Sequence, residues 1–146
     1  MPTPRSVRLD DSVLESLSSF VLRHPGLSTS SAISMLVSEG LRMEQHPGVT
    51  FRDGPAGRRA VVLDGADVWQ VISAVLDVRQ AEPTITQHEL IDAVAAATGA
   101  EAHHVRVALD YYGAHAEEID AIVRDNRDAA DAWEVALSRR DALLSP

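Results

Sequence analysis

The chain has 146 residues, of which 45% are hydrophobic and 4% aromatic, a composition suited to one ordinary folded domain or two small ones. It contains no cysteine, which excludes disulfides, thiolate zinc sites and cysteine nucleophiles. Residues 1–60 carry seven arginines and six acids, a net charge of +1, whereas residues 61–146 carry six arginines and sixteen acids, a net charge of −10. The total of −9 is therefore due to the second part of the chain. This asymmetry predicts two parts with different partners.

Residues 4–9 alternate in character as a short β-strand requires. Val7 and Leu9 point to one side, and Ser6 and Arg8 point to the other. The acidic residues that follow offer N-cap chemistry and predict a helix over 11–23. A lone strand leaves its backbone groups unpaired, and we therefore expect it to pair with the same strand of a second chain.

A second amphipathic helix is predicted over 29–44. The stretch HPGLSTSS at 24–31 ends the first helix, and Ser28 is the expected cap of the second. The resulting unit of strand, helix and helix is too small for a sufficient core of its own, which also favours an obligate homodimer.

Residues 4–44 resemble the ribbon-helix-helix family of DNA-binding proteins, of the CopG, Arc and MetJ kind. The resemblance rests on SVRLDDSVLESL and on GLSTSSAIS. It implies an antiparallel ribbon in the major groove of operator DNA. Of the family's three outward polar positions, Pro4 occupies one here. The implied DNA-binding residues are the base readers Ser6 and Arg8, the backbone contact Arg5, and Ser28, Ser30 and Ser31 at the phosphate-binding helix start.

The middle of the chain predicts a β-hairpin at 49–65 with a five- or six-residue turn, followed by helices at 66–79, 84–99 and 101–113. Thr86 and Glu89 form a capping box, and Gly113 is expected to end the last of these helices. Two interpretations of the arginines in the hairpin stay open: a wing that contacts phosphate, or an ordinary solvated loop. These arginines are Arg52, Arg58 and Arg59.

The run VRVALDYYGAHAEEIDAIVRDN at 105–126 is similar to a small helical domain that follows DNA-binding modules in VapB-type antitoxins. Together with VTFRDGPAGRRAVV and DVWQVI, the resemblance covers roughly residues 47–126. It implies that the dimer represses its own operon and neutralises a ribonuclease toxin of the PIN-domain type.

The C-terminal segment, residues 127–146, is expected to be helical nearly to its end. It is interpreted either as a helix packed on its own domain or as a partner-binding helix with an aromatic anchor and basic residues for an acidic pocket. The candidate partner-binding residues are Trp133, Leu137, Arg139 and Arg140.

No phosphate loop, nucleophile elbow or metal-ligand spacing of histidines occurs in the sequence, and we expect neither an enzyme nor a cofactor or metal. The absence of a long apolar run or a secretory signal predicts no membrane association and a cytoplasmic location.

The predicted fold is mainly α, with a dimeric ribbon-helix-helix domain at 1–46, a hairpin and helical domain at 47–126, and a partner-binding segment at 127–146. The predicted function is that of an antitoxin in a type II toxin–antitoxin pair. Two alternatives remain: a transcriptional regulator of the same fold without a toxin, and a protein-interaction adaptor.

Overall fold

The computed structural model describes residues 3–55 and 57–145 and is mainly helical, with one small antiparallel sheet in those residues. The chain divides into an N-terminal unit, Met1–Arg42, and a C-terminal unit, Met43–Pro146. In chain order the elements are α1 (Asp11–Leu22), α2 (Thr29–Gln45), β1 (Val49–Gly54), β2 (Gly57–Val62), α3 (Val68–Ala81), α4 (Gln87–Thr98) and α5 (Ala102–Leu144).

The two helices predicted for the N-terminal unit are confirmed. Asp10 is the N-cap of α1, with its carbonyl accepting from the backbone N–H groups of Val13 and Leu14. The strand predicted at 4–9 is not formed, so that the described chain begins with a helix. The physical reason is that a strand is defined by hydrogen bonds to a neighbouring strand, and no described residue supplies one.

The hairpin of the C-terminal unit is tighter than predicted. Its register joins Val49 to Val62 at the open end and Gly54 to Gly57 at the turn, so that two residues separate the strands. The predicted five- or six-residue turn is therefore wrong. Cross-strand pairing continues to the tip, where Asp53 lies opposite Arg58 and forms an ion pair with it at 3.4 Å.

The core of the C-terminal unit is aliphatic, as the scarcity of aromatic residues requires. The hairpin and all three helices contribute to it, and Tyr111 is the largest fully buried side chain. Its buried residues are Val49, Ala60, Val62, Val68, Val71, Ile72, Leu90, Ile91, Val94, Val105, Ala108, Tyr111, Ile119 and Val123. Packing around this core places the start of α3 beside the hairpin, and α5 extends beyond the core towards the C-terminus.

The predicted capping box of α4 is confirmed. Thr86 accepts a hydrogen bond from the Glu89 backbone, and the Glu89 carboxylate accepts from the Thr86 backbone and hydroxyl groups. The hydrogen bonds from Thr86 lower the pKa of Glu89. At the other end, Gly99 adopts the left-handed conformation (φ 70°) that ends the helix.

We expect Thr86→Ala to lower the free energy of unfolding by about 1 kcal/mol near neutral pH, because the helix loses its side-chain cap. Since the pKa of Glu89 is depressed in the folded chain, its contribution is present above its unfolded pKa and is lost as the pH falls through its folded pKa. The difference between variant and wild type should therefore shrink in acid. Urea titrations at several pH values measure it, and Thr84→Ala, which leaves the capping box intact, is the control.

Two helical segments follow position 100, as predicted, and they meet at a kink within α5. The backbone angles are non-helical at His115 (φ −133°, ψ 38°), and the helix then continues to Leu144. The break therefore lies two residues after Gly113, the residue predicted to end the first segment. Two hydrogen bonds span the bend, from the Tyr111 hydroxyl to Glu118 at 3.3 Å and from the Tyr112 hydroxyl to Asp120 at 3.0 Å. The bond to Asp120 raises the pKa of Tyr112.

Candidate functional site

The residues predicted to read DNA lie in an exposed segment before α1. Arg5, Ser6 and Arg8 are all exposed. Neither arginine forms an ion pair with any residue in the described part of the chain. Their guanidinium groups are therefore available for an external anion or a base edge, the ligands that arginine contacts in two-pronged geometry.

The serines predicted to meet phosphate lie at the start of α2. The Ser28 hydroxyl accepts from the Ser31 backbone N–H at 3.1 Å and donates to the Ser31 hydroxyl at 2.9 Å. Ser28 is thus the helix cap, as predicted, and all three serines are exposed. A capped and exposed helix start carries partial positive charge and oriented N–H groups, which favour an anion.

An apolar face of the N-terminal unit is left exposed. Val13 and Leu14 on α1 are 46% and 44% exposed, and Val37 and Leu41 on α2 are 56% and 59% exposed. Within this unit the buried apolar residues are Leu17 and Ala32. Exposed apolar side chains of this kind are typical of a surface that a partner covers.

The last five turns of α5 lie outside the core of the C-terminal unit. Every residue from 128 to 145 is exposed except Leu137, which is half-buried, and Trp133 is 67% exposed. The helix is anchored just before this stretch by Arg127, whose guanidinium donates to Asp77 at 2.6 Å and to the Ser73 hydroxyl at 3.2 Å. We call residues 128–145 the projecting segment.

The projecting segment presents an apolar stripe with one arginine inside it. The stripe residues recur at alternating intervals of three and four, which places them on one side of a helix. Arg139 is displaced from Arg140 by about 100° around the helix and lies beside the stripe. Arg140 pairs with Asp141 at 2.7 Å, and Arg139 forms no ion pair with a described residue. The stripe consists of Ala130, Trp133, Leu137, Arg140 and Leu144.

The hairpin arginines differ in their availability. The Arg59 guanidinium is bound to the Asp67 carboxylate, which also accepts from the Trp69 indole at 3.1 Å. Arg58 is paired with Asp53 at 3.4 Å, whereas Arg52 is exposed. Two of the three arginines of the possible wing are therefore paired with carboxylates of the same unit. This pairing weakens the interpretation of the hairpin as a phosphate-binding wing.

The packing of Arg59 depends on a glycine. A Cβ added at Gly54 would overlap the Arg59 guanidinium, which lies over the Gly54 backbone. We expect Gly54→Ala to displace Arg59 from Asp67 and to cost about 1–3 kcal/mol of unfolding free energy. Gly113→Ala is the matched control: its Cβ meets open space on a helix, and it should stabilise by about 0.5–1 kcal/mol. Equal effects of the two variants in urea unfolding would contradict this assignment.

The sequence did not predict a cluster of rings at the bend in α5, which consists of the buried Tyr111 and the half-buried His46 and His115. The His46 ring lies 5.2 Å from Tyr111 and 5.3 Å from His115, measured between ring centroids. His46 and Tyr111 are 65 positions apart, so that no local pattern could have indicated the contact. No group of three or more potential metal ligands occurs among the described residues.

Comparison of the chain with protein-family models, with curated proteins and with solved structures found no match. The exposed surfaces of the chain are therefore the basis for assigning its function. In the described part of the chain, no helix is both long and apolar enough to cross a membrane.

Proposed function

We propose that this chain is a homodimeric DNA-binding protein of the ribbon-helix-helix type and the antitoxin of a type II toxin–antitoxin pair. In this proposal, residues 4–9 of two copies form the ribbon that reads operator DNA. The projecting segment binds and neutralises a ribonuclease toxin of the PIN-domain type. The observation that carries the proposal is the coexistence of two unpartnered surfaces of different chemistry in one short chain.

The DNA-binding half of the proposal is supported by the N-terminal unit. Two adjacent helices follow an exposed segment that bears Arg5, Ser6 and Arg8, and the apolar face around Val37 lacks a cover. A second copy that pairs along residues 4–9 would satisfy the backbone of that segment and bury the apolar face in one step. The ribbon would present both copies of Arg8 on its outer side.

The antitoxin half of the proposal is supported by the projecting segment. In this five-turn helix every residue except the half-buried Leu137 is exposed, and an exposed amphipathic helix is typical of segments that bind in a partner's groove. Trp133 is the type of residue that dominates such interfaces. Arg140, which lies within the stripe, is better placed than Arg139 to reach the clustered carboxylates of a metal-dependent ribonuclease.

Fluorescence anisotropy with the DNA upstream of the gene tests the DNA-binding half. We expect Arg8→Ala to weaken binding at least about tenfold, since a bidentate contact to a base contributes about 1–3 kcal/mol and the dimer loses two. Arg23→Ala, which removes the same charge at the end of α1, is the control. Equal losses for both variants would indicate a nonspecific charge effect and would contradict base reading by Arg8.

If the wild-type protein does not bind the DNA at low salt, the same titration is repeated with the partner present, because the partner would cover the acidic part of the chain. Failure of that complex to bind would refute the DNA-binding half. Strong DNA binding by a chain whose neighbouring gene product does not associate with it would instead favour a regulator without a toxin.

A further inference from the structure

A pocket of about 350 Å³ opens in the C-terminal unit, between the tip of the hairpin, the start of α3 and α5. Its volume falls within the range of small-molecule sites in proteins. The pocket adjoins Asn126, two residues before the projecting segment begins. It is lined by residues that the proposed DNA-binding and toxin-binding roles do not use.

The hairpin side of the pocket carries guanidinium groups. Arg58 and Arg59 both line it, each paired with one carboxylate, and the partner of Arg59, Asp67, also lines the pocket. The Arg59 guanidinium is oriented by its bond to Asp67, but its Nη1 is buried and has no hydrogen-bond partner among the described residues. A buried N–H without an acceptor is costly, and a small shift of Arg59 towards a bound carboxylate would supply the acceptor.

The α5 side of the pocket is anionic and accepting. Asp125 forms no ion pair with any residue of 3–55 or 57–145. The Asn126 amide nitrogen donates to the Ile122 carbonyl at 2.8 Å, which leaves the side-chain oxygen of Asn126 as an acceptor. This wall therefore favours an ammonium group.

An apolar surface lies between the two charged walls. Trp69 and Ile122 both line the pocket, and the indole orientation is fixed by its hydrogen bond to Asp67. A purely anionic ligand would face Asp125, which has no ion pair among the described residues, and a purely cationic ligand would leave the buried Nη1 of Arg59 without an acceptor. A ligand with both charges and an apolar group meets none of these penalties.

We propose that this pocket binds a free α-amino acid with an apolar or aromatic side chain. The carboxylate faces Arg58 and Arg59, the ammonium group faces Asp125 and the Asn126 oxygen, and the side chain lies against Trp69 and Ile122. This site adds a small-molecule ligand to a chain otherwise assigned only macromolecular partners, and it does not depend on either of them.

Isothermal titration calorimetry on the full chain tests this site with L-phenylalanine and L-leucine. We expect saturable binding of at least one of them. For L-phenylalanine, two analogues lack one charge each: 3-phenylpropionate, without the ammonium group, and phenethylamine, without the carboxylate. Each should bind at least about tenfold more weakly than the amino acid, because one charged wall is then left unpaired.

Asp125→Asn is the decisive variant, because its exposed helical position tolerates the amide without unfolding. It should weaken amino-acid binding at least about tenfold, whereas Asp128→Asn, three residues further on and outside the pocket lining, should leave it unchanged. Circular dichroism verifies that both variants are folded. Absence of binding by both amino acids, equal binding of a singly charged analogue, or unchanged binding by Asp125→Asn would each overturn the proposal.

Discussion

Replacing Trp133 and Leu137 together by alanine should abolish binding of the proposed toxin partner while leaving the stability of the chain unchanged. Trp133 is 67% exposed, and neither residue belongs to the core of the C-terminal unit. Their loss therefore removes no internal packing. In a partner's groove, however, they would be the main anchors, and truncating two such residues costs about 4 kcal/mol or more, roughly a thousandfold in affinity.

Val135→Ala is the matched control, because Val135 is also apolar and 49% exposed but lies on the opposite side of the helix from Trp133. Co-purification with the neighbouring gene product, followed by calorimetry, provides the measurement. If the double variant and Val135→Ala bind equally well, the stripe is not the binding face. Unfolding of the double variant in urea at the wild-type midpoint shows that any loss is specific to the interface.

The arginine beside the anchors can be tested by the same route. Arg140→Ala should relieve inhibition of the ribonuclease more than Arg139→Ala, because Arg140 lies within the stripe and Arg139 lies about 100° away. Each variant removes one positive charge, so that the pair controls for net charge. Full inhibition by a variant lacking both arginines would show that neither enters the toxin's site.

Replacing Val37 by aspartate should convert the chain from a dimer to a monomer and, as a consequence, abolish DNA binding. Val37 is 56% exposed on the apolar face of the N-terminal unit, and its burial against a second copy would place two carboxylates in an apolar interface. Unpaired buried charges cost several kcal/mol each, more than a small dimer interface can offset.

Light scattering should show the mass of one 15.8 kDa chain for Val37→Asp and twice that mass for the wild type. Ser38→Asp introduces the same charge at the neighbouring exposed position and should remain dimeric. If the Val37→Asp variant remained dimeric, the self-association surface would lie elsewhere. The exposed apolar face around Val37 would then no longer support a ribbon formed by two copies.

Local signals in the sequence were sufficient for most of the helices. The capping residues Asp10 and Ser28 mark helix starts at the predicted positions 11 and 29, and Thr86 caps a helix that begins three residues after the predicted position 84. These features are predictable because a cap and its helix lie within four residues of each other. The continuous helical composition of residues 127–146 likewise predicted a helix nearly to the end of the chain, and α5 extends to Leu144.

The errors concern the exact positions of a helix break and of a turn. The break in α5 lies at His115 and not at Gly113, and hydrogen bonds from two tyrosines to carboxylates span it. The hairpin strands pair as far as Gly54 and Gly57, and the Arg59 guanidinium, which is bound to Asp67, lies over Gly54. The spacing of apolar and turn residues does not indicate these side-chain contacts.

The candidate surfaces were only partly predictable. Apolar periodicity predicted an amphipathic second helix but could not show which of its apolar residues stay exposed in the single chain, among them Val37 and Leu41. The sequence also proposed both Arg139 and Arg140, whereas the helix beyond the kink at His115 places Arg140 within the stripe and Arg139 beside it. The packing of the whole chain decides which apolar residues stay exposed, and the proposed function is based mainly on those exposed residues.

The pairing of residues 4–9 between two copies is the central claim, and electron paramagnetic resonance on a singly labelled chain measures it directly. The chain has no cysteine, so that Ser6→Cys provides one site for a nitroxide. Because paired strands lie about 5 Å apart, pairing of residues 4–9 should bring the two labels within about 20 Å of each other and cause strong dipolar broadening. Spectra without dipolar broadening, identical to those of the labelled protein diluted with unlabelled chain, would contradict it.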